Sequence, residues 1–408
     1  MPDAAAGPRP PGVLFVCYDG ILGGPGRSQV LPYLRGYSGA GWRVRLLSFE
    51  KPTLLADAPR RAAVEEEARA AGAAWTVLPY RGSAIRDLAS GLAAVARAAA
   101  SERPRVLHAR SYVPALLALV AARPFGAVLL FDMRGFWPDE RRDAGAWGRG
   151  HPSYVLWKWI ERLLLRAAGG VVTLSAAGME ILLAEGLLPP GTPREVIPCG
   201  ADLDRFSARS GGDPPAALRP FLGRRTYCFL GSTGPWYLVD EMLDFAASAV
   251  RAEPDARALF LAEDGGGAIA AGLASRGVPP DRSLVAPVPH AEVPRWIAAS
   301  RAGVFFIRSC RSKRASCPTK LAEFLACGVP VVINPGVGDT EEIVRGASVG
   351  VVAGRFDEPA FAAARADLDR LRADPGLGAR CRAEAERRFD ARRGAEAFER
   401  LARRIGAR

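Results

Sequence analysis

Short apolar runs rich in β-branched residues alternate with amphipathic stretches along the whole sequence of 408 residues. Apolar residues recur at helical spacing in the intervening stretches, most clearly in 83–100 and 238–250. Repeated alternation of strand and helix predicts parallel sheets that are covered by helices on both faces. The predicted strands form two series, 13–17, 43–49, 75–80, 106–108, 128–131 and 171–175, then 227–231, 258–262, 284–288, 304–307 and 330–334.

A polar stretch rich in proline and glycine, 207–220, separates the two series. A chain of this length is also long for a single core, so we expect two doubly wound α/β domains. The predicted domains are 1–200 and 201–385, followed by a basic, Ala-rich C-terminal helix over 386–408. The helical pattern of this tail begins near 383 and is interrupted near Phe389 and Asp390.

The formal net charge of +12 favours anionic partners such as nucleic acids, anionic lipids or phosphorylated metabolites. No nucleic-acid-binding motif accompanies the charge, so no specific nucleic-acid partner is expected. No apolar run approaches 18 residues, and the first residues lack the apolar core of a signal peptide. We therefore expect a cytoplasmic protein, and peripheral contact with an anionic membrane stays open.

Seven scattered cysteines, an odd number without framework spacing, argue against a disulfide scaffold and favour a reducing compartment. The three histidines lie far apart, and no CxxC or HxxxH pair exists. A structural zinc site therefore has no support in the sequence.

The first predicted strand runs into a glycine-rich loop that contains Asp19, Gly23, Gly24 and Gly26. Glycines let backbone N–H groups approach an anion closely, although a simple turn would have the same composition. Gln29 stands where the third glycine of G-x-G-x-x-G belongs, and no G-x-x-x-x-G-K-[ST] motif is present. The loop thus supports neither a Rossmann dehydrogenase nor a P-loop ATPase.

Two further strand ends carry polar residues in the N-terminal half. One delivers His108 and Arg110, and the next is followed by alternating charges and aromatics that include Arg134, Asp139 and Glu140. Loops of this composition bind polar ligands. The alternatives are a packed, hydrogen-bonded histidine and a solvated cluster of ion pairs.

Asp202 and Asp204 form an Asp-x-Asp pair in a third loop, a spacing that could hold Mg²⁺ or Mn²⁺. Asp-x-Asp occurs readily by chance, and a second such pair, Asp367 and Asp369, lies in a helical stretch of this chain. We therefore predict no metal site and no cofactor.

The fourth loop is the most informative, because residues 308–320 contain five cations and no acid. A helix follows, with Ser316 or Cys317 expected at its cap and Pro318 in its first turn. The positive end of this helix and the charge of Lys320 would favour a phosphate, and Glu323 could accept hydrogen bonds from sugar hydroxyls. This order of groups suits a nucleoside diphosphate, while a solvated basic loop is the alternative.

Residues 197–206 and 318–332, together with the loop near Gly24, resemble the family 4 glycosyltransferases. The resemblance implies the GT-B fold, an α/β architecture of two Rossmann-like, doubly wound parallel-sheet domains facing a central cleft, with the C-terminal helix crossing back to the N-terminal domain. It implies retaining, metal-independent transfer of a sugar from a nucleoside diphosphate sugar. The N-terminal domain would bind a small-molecule, saccharide or lipid-linked acceptor, and the C-terminal domain would bind the nucleotide sugar.

The resemblance also implies roles for individual residues. Lys320 would meet the diphosphate, Glu323 would hold the ribose, and Gly23 and Gly24 would turn backbone amides towards the reacting centre. The predicted catalytic residues are His108, Arg110, Lys320 and Arg308. The predicted donor site comprises Gly23, Gly24, Gly231, Ser232, Ser316, Thr319, Lys320 and Glu323. Asp19, Arg134, Asp139 and Glu140 are predicted on the acceptor side.

Three positions depart from the family pattern. Ala315 stands where the first glutamate of E-x7-E belongs, residues 229–237 lack the usual Arg and Lys, and Cys199 replaces a common Asn. Lys320 is therefore the first candidate, and Arg308 the second, for stabilising the leaving group. We expect Arg311, Lys313 and Arg314 to be solvated.

Two other functions fit the same fold. A nucleotide-sugar epimerase would need a pair of carboxylates around the sugar, and the absence of the first glutamate argues against it. A nucleotide-sugar-binding protein that has lost catalysis would explain the absent Arg and Lys.

Overall fold

A computed structural model describes residues 10–82, 84–121, 123–207, 215–231, 233–262 and 265–407. These residues divide into two compact units. The first contains those up to Arg142, Trp147–Ile197 and those from Ala391 onward, and the second contains Asp143–Ala146 and Pro198–Asp390. The predicted domain limits at 200 and 385 therefore differ from the unit limits, which fall after Ile197 and Asp390.

In the described part of the first unit, seven parallel strands form a sheet in the order β3-β2-β1-β4-β5-β6-β7. The order turns outward in both directions from β1 and β4, as in a doubly wound sheet. The strands are β1 Gly12–Cys17, β2 Arg43–Glu50, β3 Ala73–Pro79, β4 Val106–Arg110, β5 Val128–Asp132, β6 Gly170–Thr173 and β7 Arg194–Val196.

The second unit repeats this pattern. Its described residues form six parallel strands in the order β10-β9-β8-β11-β12-β13. The strands are β8 Arg225–Leu230, β9 Ala256–Leu261, β10 Ser283–Ala286, β11 Ala302–Phe305, β12 Val331–Ile333 and β13 Gly350–Val352.

Helices connect the strands of both sheets. Those before the second unit are α1 Gly24–Gly39, α2 Pro52–Leu55, α3 Ala58–Ala70, α4 Ala84–Glu102, α5 Tyr112–Ala121, α6 Trp137–Asp143, α7 Pro152–Ala167 and α8 Ala176–Ala184. They are followed by α9 Val239–Ala252, α10 Gly266–Ser275, α11 Val293–Ala298, α12 Thr319–Ala326, α13 Thr340–Gly346, α14 Glu358–Arg372, α15 Leu377–Arg388 and α16 Ala391–Gly406. Short 3₁₀ helices cover Arg123–Phe125, Ala216–Phe221, Pro280–Arg282 and Ser312–Ala315. Among the described helices, none is long and apolar enough to cross a bilayer.

The predicted fold of two doubly wound parallel sheets is confirmed, and each of the eleven predicted strands overlaps an observed one. The prediction omitted β7 and β13, which are three-residue strands at the sheet edges. The residues of β7 are exposed, and an edge strand pairs on one side only. Such short segments lack the apolar run on which sequence-based recognition depends.

The C-terminal helix α16 belongs to the first unit and packs on α1. The Phe398 ring lies 4.6 Å from that of Tyr33 between ring centroids, and Trp42 Nε1 donates to Glu399 at 3.0 Å. The interruption predicted near Phe389 and Asp390 separates α15 from α16. The predicted return of the last helix to the N-terminal domain is thus confirmed.

Candidate active site

In the second unit, the chain after β8 turns back to pair with the residues that follow β11. Leu238 N donates to Phe306 O at 3.0 Å, and Arg308 N donates to Trp236 O at 2.9 Å. This antiparallel pairing brings the aromatic side chains of Trp236 and Tyr237 beside the cationic loop.

Lys320 lies in the first turn of α12 and is only 6% exposed. Its Nζ is 3.7 Å from the centroid of the Tyr237 ring, a cation–π contact. A Cβ added at Gly231, where φ is +118°, would lie 2.6 Å from the same Nζ. Glycine therefore allows the backbone that follows β8 to approach the ammonium group. The structure brings together Gly231 and Lys320 from the predicted donor site, whereas Ser232 lies outside the described residues.

Burial lowers the pKa of Lys320 from 10.5 to about 7, against the opposing effect of Glu323. The ammonium form is disfavoured because it has lost its hydration. A phosphate bound beside Lys320 would stabilise that form and raise the pKa again. Binding of an anion would therefore favour the charged form of Lys320.

The start of α12 differs from the prediction that Ser316 or Cys317 caps the helix. Pro318 occupies the N-cap position, and its side chain makes no capping hydrogen bond. Thr319 is exposed and Ser316 is half-buried. The amides of this first turn suit an anion, because they and the helix dipole carry partial positive charge.

Glu323, one turn beyond Lys320, is 8% exposed and has a partner that the sequence analysis missed. Its Oε1 lies 2.9 Å from His290 Nε2. The imidazole in turn lies 5.4 Å from the Phe206 ring, between ring centroids. Three separate segments thus meet around His290, which spacing along the chain could not link to Glu323.

Lys313 contradicts the prediction that it is solvated. Its side chain is 8% exposed, and its Nζ lies 3.9 Å from the centroid of the Trp236 ring. Arg311 is half-buried, while Arg314 and Arg308 are exposed. The rings of Trp236 and Tyr237 thus each contact one lysine, Lys313 of the cationic loop and Lys320 of α12.

Asp202 acts within its own loop. Its Oδ1 accepts hydrogen bonds from the backbone N–H groups of Asp204 and Arg205, both at 3.2 Å, and so closes a turn. Among the described residues, no group of three or more His, Cys, Asp or Glu is arranged to hold a metal.

In the first unit, a buried carboxylate organises the glycine-rich loop. Glu50 accepts hydrogen bonds from Ile21 N at 2.7 Å and Leu22 N at 3.1 Å. Gly20 has φ +75°, and an added Cβ would lie 2.5 Å from Glu50 Oε2; one at Gly26 would overlap Gly20 O. The backbone N–H groups of Ile21 and Leu22 are therefore already bound to Glu50, a residue that the sequence analysis did not identify.

Gly23 caps α1 and Gly24 begins it. A Cβ at Gly23 would meet nothing within 4 Å, so packing does not require glycine there. Asp19, earlier in the same loop, is exposed.

His108 is fully buried between the rings of Phe15 and Phe398, at centroid distances of 4.2 and 4.5 Å. Its Nδ1 lies 3.0 Å from the Tyr37 hydroxyl, and its Nε2 lies 3.6 Å from Asp132 Oδ2. Burial lowers the pKa of His108, which keeps the imidazole neutral at pH 7. This placement favours the alternative of a packed histidine, because a side chain with no exposed surface does not touch a substrate.

Arg110 and Arg134 converge on the buried carboxylate of Asp132. The distances from Asp132 to the guanidinium nitrogens are 3.4 Å for Arg110 and 3.9 Å for Arg134. Burial alone would raise the pKa of Asp132, but Arg134, His108 and Arg110 together lower it, so the carboxylate stays ionised. Arg110 is only 5% exposed and contacts Asp132, so it belongs to a buried ion cluster.

Asp139 does not fit its predicted acceptor-side role. It is fully buried, and its carboxylate binds Lys158 at 3.0 Å, the Tyr154 hydroxyl at 3.1 Å and Arg142 at 3.3 Å. These contacts fix α7 against α6. The neighbouring Glu140 is half-buried.

Comparisons with known proteins cover both units. Residues 23–200 match the model of the Glycosyl transferase 4-like domain, and residues 224–369 match that of Glycosyl transferases group 1. A search of curated proteins found no match.

Several solved structures share the fold. Sucrose-phosphate synthase from Thermosynechococcus elongatus has a TM-score of 0.73 at 18% identity, over 97% of this chain and 99% of that one. Anabaena HepE in complex with UDP-glucose has a TM-score of 0.71 at 15% identity, over 97% and 100%. A Listeria monocytogenes protein described as a UDP-N-acetylglucosamine 2-epimerase has a lower TM-score of 0.59 at 11% identity, over 95% and 94%.

The two domain matches follow each other in the order of the two units and together span most of the chain. The solved structures show the GT-B arrangement of two Rossmann-like domains over nearly the full length. The chain is therefore a glycosyltransferase of the GT-B fold, with a glycosyl transferase 4-like domain followed by a glycosyl transferases group 1 domain.

Proposed function

We propose that this protein transfers a sugar from a nucleoside diphosphate sugar to an acceptor hydroxyl, with retention of anomeric configuration and without a metal. The observation that carries the proposal is the placement of Lys320. It lies in the first turn of α12, and its ammonium lies beside the backbone of Gly231. Glu323 follows one turn later, with His290 on one of its oxygens.

Each part of this arrangement suits one part of the donor. The first-turn amides and Lys320 are suited to the diphosphate, because both carry positive charge. The Glu323 oxygen that does not face His290 is suited to accept from ribose hydroxyls. Two structures of Anabaena HepE contain UDP-glucose or UDP with glucose, which makes UDP the first nucleotide to test here.

Departure of the nucleoside diphosphate breaks the bond between the anomeric carbon and a phosphate oxygen, and negative charge grows on that oxygen. Lys320 would stabilise this charge in its ammonium form. Residues 229–231 and 233–237 include no lysine or arginine, so Lys320 would act without the Arg and Lys that the resemblance leads one to expect in this loop. Arg308 follows β11 and is the second candidate.

The first unit would bind the acceptor, which we propose to be a small molecule, a saccharide or a lipid-linked sugar. Arg134 and the exposed Asp19 are the candidates on this side, since His108 and Asp139 are fully buried. We propose a cytoplasmic location, which is supported by seven cysteines that form no disulfide within the described residues.

The test is donor turnover by Lys320→Ala, measured with UDP-sugar and GDP-sugar panels. Loss of one preorganised donor to a developing charge costs about 10²-fold to 10³-fold in kcat. Glu323→Ala should instead act mainly on donor binding, by roughly 1.5–3 kcal/mol. Unchanged kcat in Lys320→Ala would refute the assignment.

Hydrolysis of the donor without an acceptor separates the proposal from its alternatives. Slow release of free sugar indicates a transferase, whereas conversion of one nucleotide sugar into its epimer indicates an epimerase. Nucleotide binding without any turnover would indicate a binding protein.

A further inference from the structure

Helix α7 presents an apolar face to solvent. Val155, Leu156, Trp159 and Leu163 are 56%, 53%, 59% and 38% exposed. Four large apolar side chains on one helix of 16 residues are unusual for a free surface, and such patches mark interaction sites.

The exposed side chains share one side of the helix. At 3.6 residues per turn, positions 155, 159, 162, 163 and 166 face the same way, and 156 lies at the edge of the same stripe. The opposite side is buried, with Ile160, Leu164 and Leu165 packed inside the unit. The exposed face is therefore a continuous stripe along the helix.

Polar contacts on the inner side hold α7 in this orientation. Glu161 accepts from the Tyr112 hydroxyl at 2.5 Å and pairs with Lys158, which also binds Asp139 at 3.0 Å. Burial raises the pKa of Glu161, and its neighbours Lys158 and Tyr112 oppose that effect. A rotation that hid the apolar stripe would break this buried network, so the stripe stays exposed.

The charges on the stripe have a single sign. Arg162 and Arg166 are exposed, and neither forms an ion pair within the described residues. The helix contains one acid, Glu161, which is buried on the other side. Two cations beside an exposed tryptophan, with no exposed acid, complement an anionic and apolar partner.

We infer that the outer face of α7 docks the protein onto the surface of an anionic lipid bilayer. The helix would lie in the plane of the interface, with Trp159 and its apolar neighbours among the acyl chains near the headgroups. Arg162 and Arg166 would contact lipid phosphates. The net charge of +12 would favour the same encounter. The inference concerns binding alone and does not depend on sugar transfer.

The experiment is cosedimentation of the full-length protein with vesicles of phosphatidylglycerol and phosphatidylcholine in equal parts, compared with phosphatidylcholine alone. We expect binding to the anionic vesicles that weakens with salt. Reversal of both charges in Arg162→Glu/Arg166→Glu should lower partitioning at least about 25-fold, since each arginine near such a surface contributes about fivefold. Leu156→Ala/Trp159→Ala should lower it at least about tenfold, because less apolar surface is buried.

Matched controls keep the same chemistry away from α7. Arg61→Glu/Arg97→Glu makes the same change in net charge at two exposed helix positions, and Leu222→Ala removes an apolar side chain that is 39% exposed in the second unit. Both controls should retain most of the binding.

Three results would overturn the inference. One is absence of binding to anionic vesicles, and another is equal loss in the control variants. The third is a dimer, detected by light scattering, that Trp159→Ala dissociates, since the stripe would then be an interface between two copies. Circular dichroism and donor turnover of each variant would identify a folding defect. Because the chain has eight tryptophans, the signal of Trp159 is the difference between the parent and Trp159→Phe, and a vesicle-induced blue shift of equal size in both would show that Trp159 does not enter the bilayer.

Discussion

Replacement of Lys320 by methionine should make the ligand-free protein more stable. The ammonium is buried, and its pKa falls from 10.5 to about 7. Each pKa unit is worth about 1.4 kcal/mol, so folding loses at most about 5 kcal/mol to this group below pH 7. Methionine fills a similar volume without a charge.

Part of this gain is offset by the lost cation–π contact with Tyr237, whose ring centroid is 3.7 Å from Nζ. Such contacts contribute about 0.5–2 kcal/mol. Relaxation of the site lowers the gain further, so we expect a net increase of roughly 2 kcal/mol in the free energy of unfolding. For a unit of this size, that corresponds to about 4–8 °C in Tm.

The pH dependence identifies the cause. Below pH 7 Lys320 is protonated in both the folded and the unfolded protein, so the gain from methionine is complete. Between pH 7 and 10.5 only the unfolded protein takes up the proton, and the gain disappears as pH rises. Urea unfolding of parent and variant at pH 6.5 and pH 9.5 measures this difference, with about 3 kcal/mol less gain expected at the higher pH as an upper bound.

Lys158→Met is the contrasting control. This lysine binds two buried carboxylates, Asp139 and Glu161, and its pKa is raised by them despite burial. Its removal should destabilise the protein by about 3–5 kcal/mol, because buried charges lose their partner. A Lys320→Met protein that is less stable than the parent at pH 6.5 would refute the reasoning about Lys320.

Three further predictions concern the proposed donor site. Because UDP would bind the protonated form of Lys320, the affinity of the protein for UDP should fall by up to about tenfold per pH unit above pH 7. Calorimetric titration should show this loss in the parent. The same loss in Lys320→Arg, whose guanidinium stays charged, would contradict the role of Lys320. His290→Ala should weaken UDP binding by roughly 1–2 kcal/mol, since Glu323 loses the group that orients it. His290→Gln should restore most of that affinity and the preference for ribose over 2′-deoxyribose, and a variant with unaltered affinity and preference would exclude a positioning role. Chelator should leave sugar transfer intact, and activity lost in chelator but restored by Mn²⁺ would refute metal independence.

The order of strands and helices follows from local sequence. Apolar runs such as those of β1 and β8 bury both faces of a parallel strand, so their pattern is visible without the fold. The break between α15 and α16 near Phe389 was equally local. Glycine-rich and cationic loops after strands identified Gly231, Lys320 and Glu323, because parallel strands deliver such loops to one edge of a sheet.

Long-range contacts decided what those residues do. Tyr237 and Lys320 lie far apart along the chain. Only the pairing of the segment around Tyr237 with Phe306 and Arg308 places the ring against the ammonium. Burial then lowers the pKa of Lys320, a property of its surroundings that no local pattern encodes. The same applies to His290, which contacts Glu323 across 33 positions of the chain.

Burial also separated residues that looked alike in the sequence. The sequence predicted His108 at the end of a strand and Asp139 in a ligand-binding loop, but His108 lies within β4 and Asp139 within α6. Both are fully buried, His108 between aromatic rings and Asp139 among three polar partners. Glu50 closes the glycine-rich loop from a neighbouring strand. Sequence determined which groups reach the strand ends, because that depends on local periodicity. Tertiary structure decided which of them keep their charge, their partners and their access to solvent, because these depend on packing between segments far apart in the chain.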